Sequence, residues 1–392
     1  MDTRKTIILV LVRYYLPGFK AGGPVRSISN IVAKLGDEFD FRIITSDRDL
    51  LDRVPYVDVV VDAWNQVGKA QVFYLSPRSR SLLTIFKLLS DTPHDILYFN
   101  SFFDPIFTLM PLLGRFFGVL PIKPALIATR GELSPGALLL KRRKKVLYIW
   151  VTSAIGLYRN LNWHASTHTE SMNIQNIVSP KNISTVPIIA MDLPIDNDPT
   201  IKSSDSHTRK LGDPLRIVFL SRIVQMKNLD FALKVLAKVT IPINFHIFGP
   251  IEDESYWMKC NDLIADLPLN ISVHYEGEVE HLKVLSVLKN HDLFFLPTRG
   301  ENFGHVIMES MIVGTPVLIA DTTPWRNLEQ NGVGWELPLD NEQKFADKIH
   351  DAAQFSNEAY RIWRKRVESF ALEISKNQEI VASNRNLFIK LH

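Results

Sequence analysis

The chain has 392 residues, 46% of them hydrophobic and 22% charged, with a single cysteine, Cys260. That length predicts two or three domains with cores of their own, and excludes a disordered chain, a disulfide-stapled mini-protein and a zinc site built on several thiolates. The net charge of +3 divides unevenly: residues 1–195 carry 23 Lys+Arg against 15 Asp+Glu (+8), the remainder 22 against 27 (−5), so the basic half predicts an anionic partner.

Thr6–Val12 (TIILVLV) opens the chain as a short apolar run that stops at Arg13 without a small-residue cleavage site, which predicts a buried strand and no signal peptide. A loop from Tyr14 follows, with Gly22-Gly23 ahead of a helix at Pro24–Leu35; the proline suits the first helical position. Further strands are expected at Phe41–Thr45, Val72–Leu75, Ile96–Phe99, Ala125–Thr129, Leu161–His164 and Ile183–Pro187. Helices are expected between them at Ser81–Leu89, Asp104–Phe117, Arg142–Tyr158 and Thr169–Ile177. Asp47-Arg48-Asp49, after the second strand, has the spacing of a metal-binding Asp-x-Asp pair but reads as a loop. The most lipid-like stretch, Pro105–Ala128, is broken by Pro111, Gly114, Arg115, Pro121, Lys123 and Pro124, short of the ~20 apolar residues of a spanning helix. A cytoplasmic protein, peripheral on a membrane at most, is the expectation.

Lys141-Arg142-Arg143-Lys144-Lys145 lies between Leu138-Leu139-Leu140 and Val146-Leu147-Tyr148-Ile149-Trp150. A basic run beside apolar residues suits anionic lipid headgroups at roughly 1 kcal/mol per basic residue, and equally a solvated turn at a helix start. No nucleic-acid recognition pattern accompanies it.

Asp192–Pro214 is rich in Pro, Ser, Asp and Lys and reads as a linker. The alternation then restarts, with strands at Arg216–Leu220, Asn244–Phe248, Ile271–Tyr275, Leu293–Leu296 and Pro316–Ala320. Helices fall at Leu229–Lys238, Ser255–Ile264, Glu280–Lys289 and Gly304–Val313, and about three helical segments follow Glu342. The fold class is therefore α/β, two doubly wound parallel-sheet domains whose ligand crevices face each other across a cleft. The predicted boundaries are a first domain at 1–195, a linker at 196–213, a second domain at 214–371, and a C-terminal helix at 372–392 packing back on the first domain.

Leu293–Ala320 (LFFLPTRGENFGHVIMESMIVGTPVLIA) carries the sharpest pattern. A strand ends at Pro297, a polar loop spans Thr298–Phe303, and a helix from about Gly304 stops at Gly314 before the next strand. The amides of Phe303, Gly304 and His305 crown that helix start, where the macrodipole favours phosphate. Glu301 in the loop and Glu309 in the helix are placed to accept hydrogen bonds from hydroxyl groups, so a phosphorylated sugar fits. After Arg216–Leu220, Arg222 and Lys227 add two cations at a strand end, suited to a diphosphate.

This frame resembles the donor-site signature of family-4 glycosyltransferases, enzymes of the GT-B fold in which two Rossmann-like domains close on a nucleotide-sugar. The resemblance implies a retaining glycosyltransferase of hexosyl type, with no cofactor and no essential metal. Arg222 and Lys227 would hold the diphosphate, Glu301 the sugar hydroxyls and Glu309 the ribose, with Asn302, Phe303, Gly304 and His305 contacting phosphate and sugar. Gly249, in His246–Pro250, and Gly277 with Val279, in Tyr275–Val279, are similar to the strand ends bordering the base, though plain turn glycines would read the same. Gly22-Gly23 resembles the family's glycine loop. Arg130 stands where many members carry a histidine near the sugar, with Glu132 as a second polar candidate. The implied acceptor is a surface glycan, including one carried on a polyprenyl diphosphate, as in O-antigen, capsule or exopolysaccharide assembly. Two rival readings are a GT-B nucleotide-sugar epimerase and a catalytically silent nucleotide-sugar-binding scaffold.

Overall fold

Strand–helix–strand alternation returns the chain in the same direction after each helix, so the described strands pair in parallel, except that Trp64–Val67 joins Ala70–Leu75 by a tight turn and pairs with it antiparallel at the sheet edge. The computed structural model describes residues 4–139, 141–178, 186–194 and 212–391. The chain divides into two compact units, Met1–Leu193 with Gln378–His392, and Pro194–Asn377. The expected linker lies outside the described residues except for 212 and 213, as does most of the strand expected at Ile183–Pro187.

In the first unit the strands are β1 (Ile7–Leu11), β2 (Asp40–Ser46), β3 (Trp64–Val67), β4 (Ala70–Leu75), β5 (Ile96–Phe99), β6 (Ala125–Ala128), β7 (Asn162–Ala165) and β8 (Ile188–Ile189). Their order across the sheet is β3-β4-β2-β1-β5-β6-β7-β8. Helices α1 (Gly23–Leu35), α2 (Leu82–Asp91), α3 (Met110–Phe116), α4 (Pro135–Leu139), α5 (Arg142–Ala154) and α6 (His168–Ile177) connect them. The central strands β1, β5 and β6 are buried at every position, which is why they read as unbroken apolar runs. Two expectations are corrected. The helix expected at Asp104–Phe117 begins as a π-helical turn at Pro105–Leu109, capped by the Asp104 carboxylate on the amides of Ile106 and Phe107 at 2.8 Å, and becomes α-helical only at Met110. The helix expected to reach Tyr158 stops at Ala154, and Gly156 follows in the left-handed region at φ 70°.

The second unit holds β9 (Leu215–Leu220), α7 (Leu229–Leu236), β10 (Ile243–Phe248), α8 (Glu254–Ala265), β11 (Ile271–Gly277), α9 (His281–Lys289), β12 (Leu293–Leu296), α10 (His305–Ile312), β13 (Val317–Ala320), β14 (Gly334–Leu337), α11 (Glu342–Ala353) and α12 (Asn357–Ser375). Its described strands run parallel in the order β11-β10-β9-β12-β13-β14. The buried Arg364 of α12 donates to the carbonyls of Lys289, His291 and Val313, so one cation satisfies the open C-terminal ends of α9 and α10. The last helix, α13 (Gln378–Ile389), belongs to the first unit. It starts later than 372 because α12 continues to Ser375.

Each sheet has one switch point. β1 lies between β2 and β5, and β9 between β10 and β12. Loops leaving neighbouring strands there part to opposite faces and open a crevice at the strand C-termini, the usual ligand position in this architecture. Two such doubly wound α/β units are what the GT-B fold expected from the sequence requires.

Candidate active site

The second unit's switch point is formed by the loops after β9 and β12. Asn228 joins them. It adopts the left-handed conformation at φ 62°, donates from Nδ2 to the Pro297 carbonyl at 2.9 Å and accepts from Arg299 Nε at 2.9 Å. The Met226 carbonyl accepts the Arg299 amide at 2.8 Å and Thr298 Oγ1 at 3.1 Å. The loop after β12 is therefore stitched to the loop after β9, and this registration presents Lys227 to Glu301. Lys227 Nζ donates to Glu301 Oε1, with each side chain 13% exposed.

Helix α10 starts directly behind Glu301. Its N-cap, Gly304, has φ 79°, and a Cβ there would sit 2.7 Å from Ile307 Cδ1, so the turn requires glycine. The first-turn amides of a helix have no intrahelical acceptor, which leaves this end suited to an anion. The Phe303 ring is buried against His305 and Trp325, at centroid distances of 4.8 and 5.4 Å, and Trp325 Nε1 donates to the Phe303 carbonyl at 2.7 Å. Phe303 thus anchors the turn, and of its expected contacts only the backbone one remains open to it. His305 and Glu309 are buried at 8% and 5% exposure, while Asn302 is half-buried.

Arg222 does not share the Lys227 carboxylate. Its Nη1 pairs with Glu252 at 2.6 Å, on the loop between β10 and α8. Gly249 has φ 135°, and a Cβ there would lie 2.0 Å from the Ser221 carbonyl oxygen, so this glycine lets the ends of β9 and β10 meet. Gly277, at φ 77°, faces open space, and Val279 packs half-buried on the core. Sequence reading gave no role to Asn228, Glu252, Trp325 or Thr322, whose hydroxyl donates to the Thr298 carbonyl at 2.6 Å. Asn228 alone carried a signal, as an asparagine just ahead of a helix.

In the first unit, Gly22 caps α1 at φ 71°, and Cβ atoms on Gly22 or Gly23 would meet nothing within 4 Å, so this loop faces open space. Arg130 differs from a solvent-facing contact. Its side chain is 4% exposed, and its guanidinium donates to Asp192 Oδ1 at 2.8 Å, Tyr98 Oη at 2.8 Å and Asn100 Oδ1 at 2.7 Å. Tyr98 in turn bonds His164 Nδ1 at 2.7 Å, and His164 Nε2 lies 2.9 Å from the Ala190 carbonyl. A carbonyl only accepts, so Nε2 carries the proton, Nδ1 accepts from Tyr98, and burial holds the His164 pKa down at about 4. Glu132 is turned inward, accepting from Ser101 Oγ and the amides of Phe102 and Phe103; burial raises its pKa.

The basic run is mostly at the surface. Lys141 to Lys144 are exposed, whereas Lys145 folds back to the Ala137 carbonyl at 2.7 Å and over the Phe103 ring at 5.0 Å. Beside them α4 and α5 frame an open groove of about 820 Å³, lined by residues including Leu139, Arg142, Val146, Trp150 and Ile177. No described helix is long and apolar enough to cross a membrane. No group of three or more His, Cys, Asp or Glu side chains among the described residues is arranged to hold a metal ion.

Residues 201–369 match the family model for glycosyl transferases group 1. Lys227, Glu301 and α10 all lie within the matched residues. The chain is similar to the phosphatidylinositol N-acetylglucosaminyltransferase GPI3 subunit of Saccharomyces cerevisiae (strain YJM789), 27% identical over 224 residues that cover 54% of this chain and 46% of that protein. The chain thus spans about half the length of this curated relative. Among solved structures it is similar to Anabaena HepE in complex with UDP and glucose (TM-score 0.69, 14% identity, 98% of this chain and 99% of that one). It is also similar to sucrose-phosphate synthase of Thermosynechococcus elongatus (0.70, 15%, 99% and 99%) and to WaaG, a glycosyltransferase involved in lipopolysaccharide biosynthesis (0.64, 12%, 97% and 98%).

Proposed function

We propose that the protein is a retaining glycosyltransferase, moving a sugar from a nucleoside-diphosphate sugar to a glycan or lipid-linked acceptor in the assembly of a surface polysaccharide. The observation that carries this reading is the Lys227–Glu301 pair at the switch point of the second unit, beside the amino end of α10. A cation, a carboxylate and a helix start suit a ligand that joins phosphate to hydroxyl groups. The relatives support the donor class, since HepE is described with UDP and glucose. They also support the setting, since WaaG is described in lipopolysaccharide biosynthesis.

In this reading the bond from the anomeric carbon to the diphosphate oxygen breaks as the acceptor oxygen bonds on the same face, and the acceptor proton passes to the leaving phosphate. Lys227 and Arg222 neutralise the charge growing on the diphosphate. Glu301 orients the sugar hydroxyls and Glu309 accepts from the ribose. Arg130 acts as a positioning residue through Asp192, Asn100 and Tyr98. The diphosphate charge is met by side chains and the helix end, so the reading invokes neither cofactor nor essential metal. It places the protein in the cytoplasm, peripheral on the inner face of the plasma membrane, where the exposed Lys141–Lys144 run and its neighbouring apolar groove meet anionic lipid.

A thermal-shift panel of UDP-, GDP-, dTDP- and CMP-sugars tests the donor. A ligand at 100 times its Kd stabilises by about 2.7 kcal/mol, and one diphosphate class is expected to do so in wild type but not in Glu309→Ala. Release of free epimerised nucleotide-sugar without acceptor would instead identify an epimerase, and binding without turnover on any acceptor a scaffold.

A further inference from the structure

The first unit's own switch point holds a second charged cluster, apart from the donor residues. Arg13, after β1, donates from Nε to Asp104, after β5, at 2.5 Å. Asp47, after β2, accepts from Nε and Nη2 of Arg48, both at 2.9 Å. Arg80, beyond β4, places Nη2 3.6 Å from the same carboxylate. The Asp47-Arg48-Asp49 run is thereby explained without a metal: Asp49 caps the amides of Phe19, Lys20 and Leu50, and Asp47 gathers arginines.

The two acids lie inside and the cations reach the surface. Side-chain exposure is 2% for Asp47 and 5% for Asp104, against 40% for Arg13, 24% for Arg48 and 23% for Arg80. Three guanidinium groups on two carboxylates leave an excess of one positive charge. Neutralising two buried acids requires only two cations, so the third is surplus to the fold. Arg80 is the strained member. Its Nε is buried without a hydrogen-bond partner. Burial outweighs the attraction of Asp47 and, with smaller contributions from the nearby Arg48 and Arg13, holds its guanidinium below the ordinary value. A surplus cation that repels its neighbours is stabilised by an anion from outside. Its position, at the strand C-termini beside a switch point, is where a doubly wound sheet takes its ligand.

We propose that Arg13, Arg48 and Arg80 form an anion subsite for the acceptor, binding either the phosphate of a phosphorylated or diphosphate-linked acceptor or the carboxylate of an acidic sugar. Planar guanidinium forks match both groups. The word acceptor rests on the glycosyltransferase reading; the anion chemistry does not.

Arginine labelling of the wild-type chain by phenylglyoxal, read residue by residue by mass spectrometry, tests this without a variant that risks misfolding. Inorganic pyrophosphate and methyl glucuronide serve as the two probes. At least one is expected to slow labelling of Arg13 and Arg80 several-fold, and which one does so names phosphate or carboxylate as the acceptor's charge. Unchanged labelling of both arginines with both probes overturns the proposal. Protection of Arg222 by UDP is read in the same digest. Should it fail while Arg13 and Arg80 are protected, the donor reading falls and the anion site stands.

Discussion

Lys227 and Glu301, 74 residues apart in sequence, meet as a half-buried ion pair because Asn228 and Met226 tie their two loops together. An incoming diphosphate competes with Glu301 for the ammonium group. A hydrogen bond to a charged partner contributes about 1.5–3 kcal/mol, so Lys227→Ala is expected to weaken nucleoside-diphosphate binding roughly 10- to 100-fold in a calorimetric titration. Glu301→Gln removes the competitor, and is expected to keep or tighten diphosphate binding while lowering turnover. Equal loss of binding in both variants would contradict these roles.

Gly249 and Gly277 separate two reasons for a glycine. Gly249→Ala drives a methyl group into the Ser221 carbonyl and is expected to cost about 3 kcal/mol or more. Gly277→Ala meets no atom and bears only its left-handed φ, about 1 kcal/mol. Urea unfolding of the two variants measures the difference.

Arg130 is predicted to matter for stability before chemistry. Arg130→Met removes the guanidinium partner of the buried Asp192 carboxylate, which also accepts from Ser27 and Ser166, and is expected to cost about 3–5 kcal/mol. Arg130→Lys keeps the charge but loses the fork that holds Tyr98 and Asn100, so it should fall between Met and wild type.

Acid should destabilise both units through buried imidazoles. Burial, reinforced by Arg130, lowers the His164 pKa to about 4, and burial likewise lowers His291 to about 4, against 6.5 for a free histidine. Between those values the unfolded chain binds the extra protons. Stability from these residues is therefore complete above about pH 6.5 and is lost as pH falls toward 4, up to about 3 kcal/mol for each. Imidazole resonances followed by NMR should titrate near pH 4; a midpoint near 6.5 would refute the effect.

The apolar side of α5 is predicted to enter lipid. Leu147 and Trp150 stand 60% and 68% exposed next to the basic first turn, which carries no acidic residue to favour the helix dipole. Brominated lipid in anionic vesicles should quench Trp150 in the full chain. Replacing Arg142, Arg143 and Lys144 by Gln should reduce flotation with those vesicles, and unchanged flotation would argue against membrane contact.

Much of this was legible in the residues. Unbroken runs such as Ile7–Leu11 and Leu293–Leu296 have one good burial solution, the centre of a parallel sheet. The strand–loop–helix around Glu301 is local, so its pattern survived in sequence. Less visible were the edge strands β3 (WNQV) and β14 (GWEL), too short and polar for periodicity to mark them. Arg130 was harder still: a charged residue after a strand reads the same whether it faces solvent or Asp192, 62 residues on. Pairings that distant depend on chain topology, which no spacing rule carries. The arginine cluster escaped notice for the same reason, with Arg13 and Asp104 91 residues apart.

Helix α13 imposes an order on biosynthesis. Phe388 packs against Phe39, Phe41 and Tyr98 at 5.4–5.8 Å, and Arg385 grips Glu38. The amino-terminal core is sealed by residues translated after the whole second unit. On the ribosome the earlier-made half must wait, its aromatic surface uncovered, while the later-made half is free to finish first; nascent-chain handling is needed most by the segment that emerges earliest.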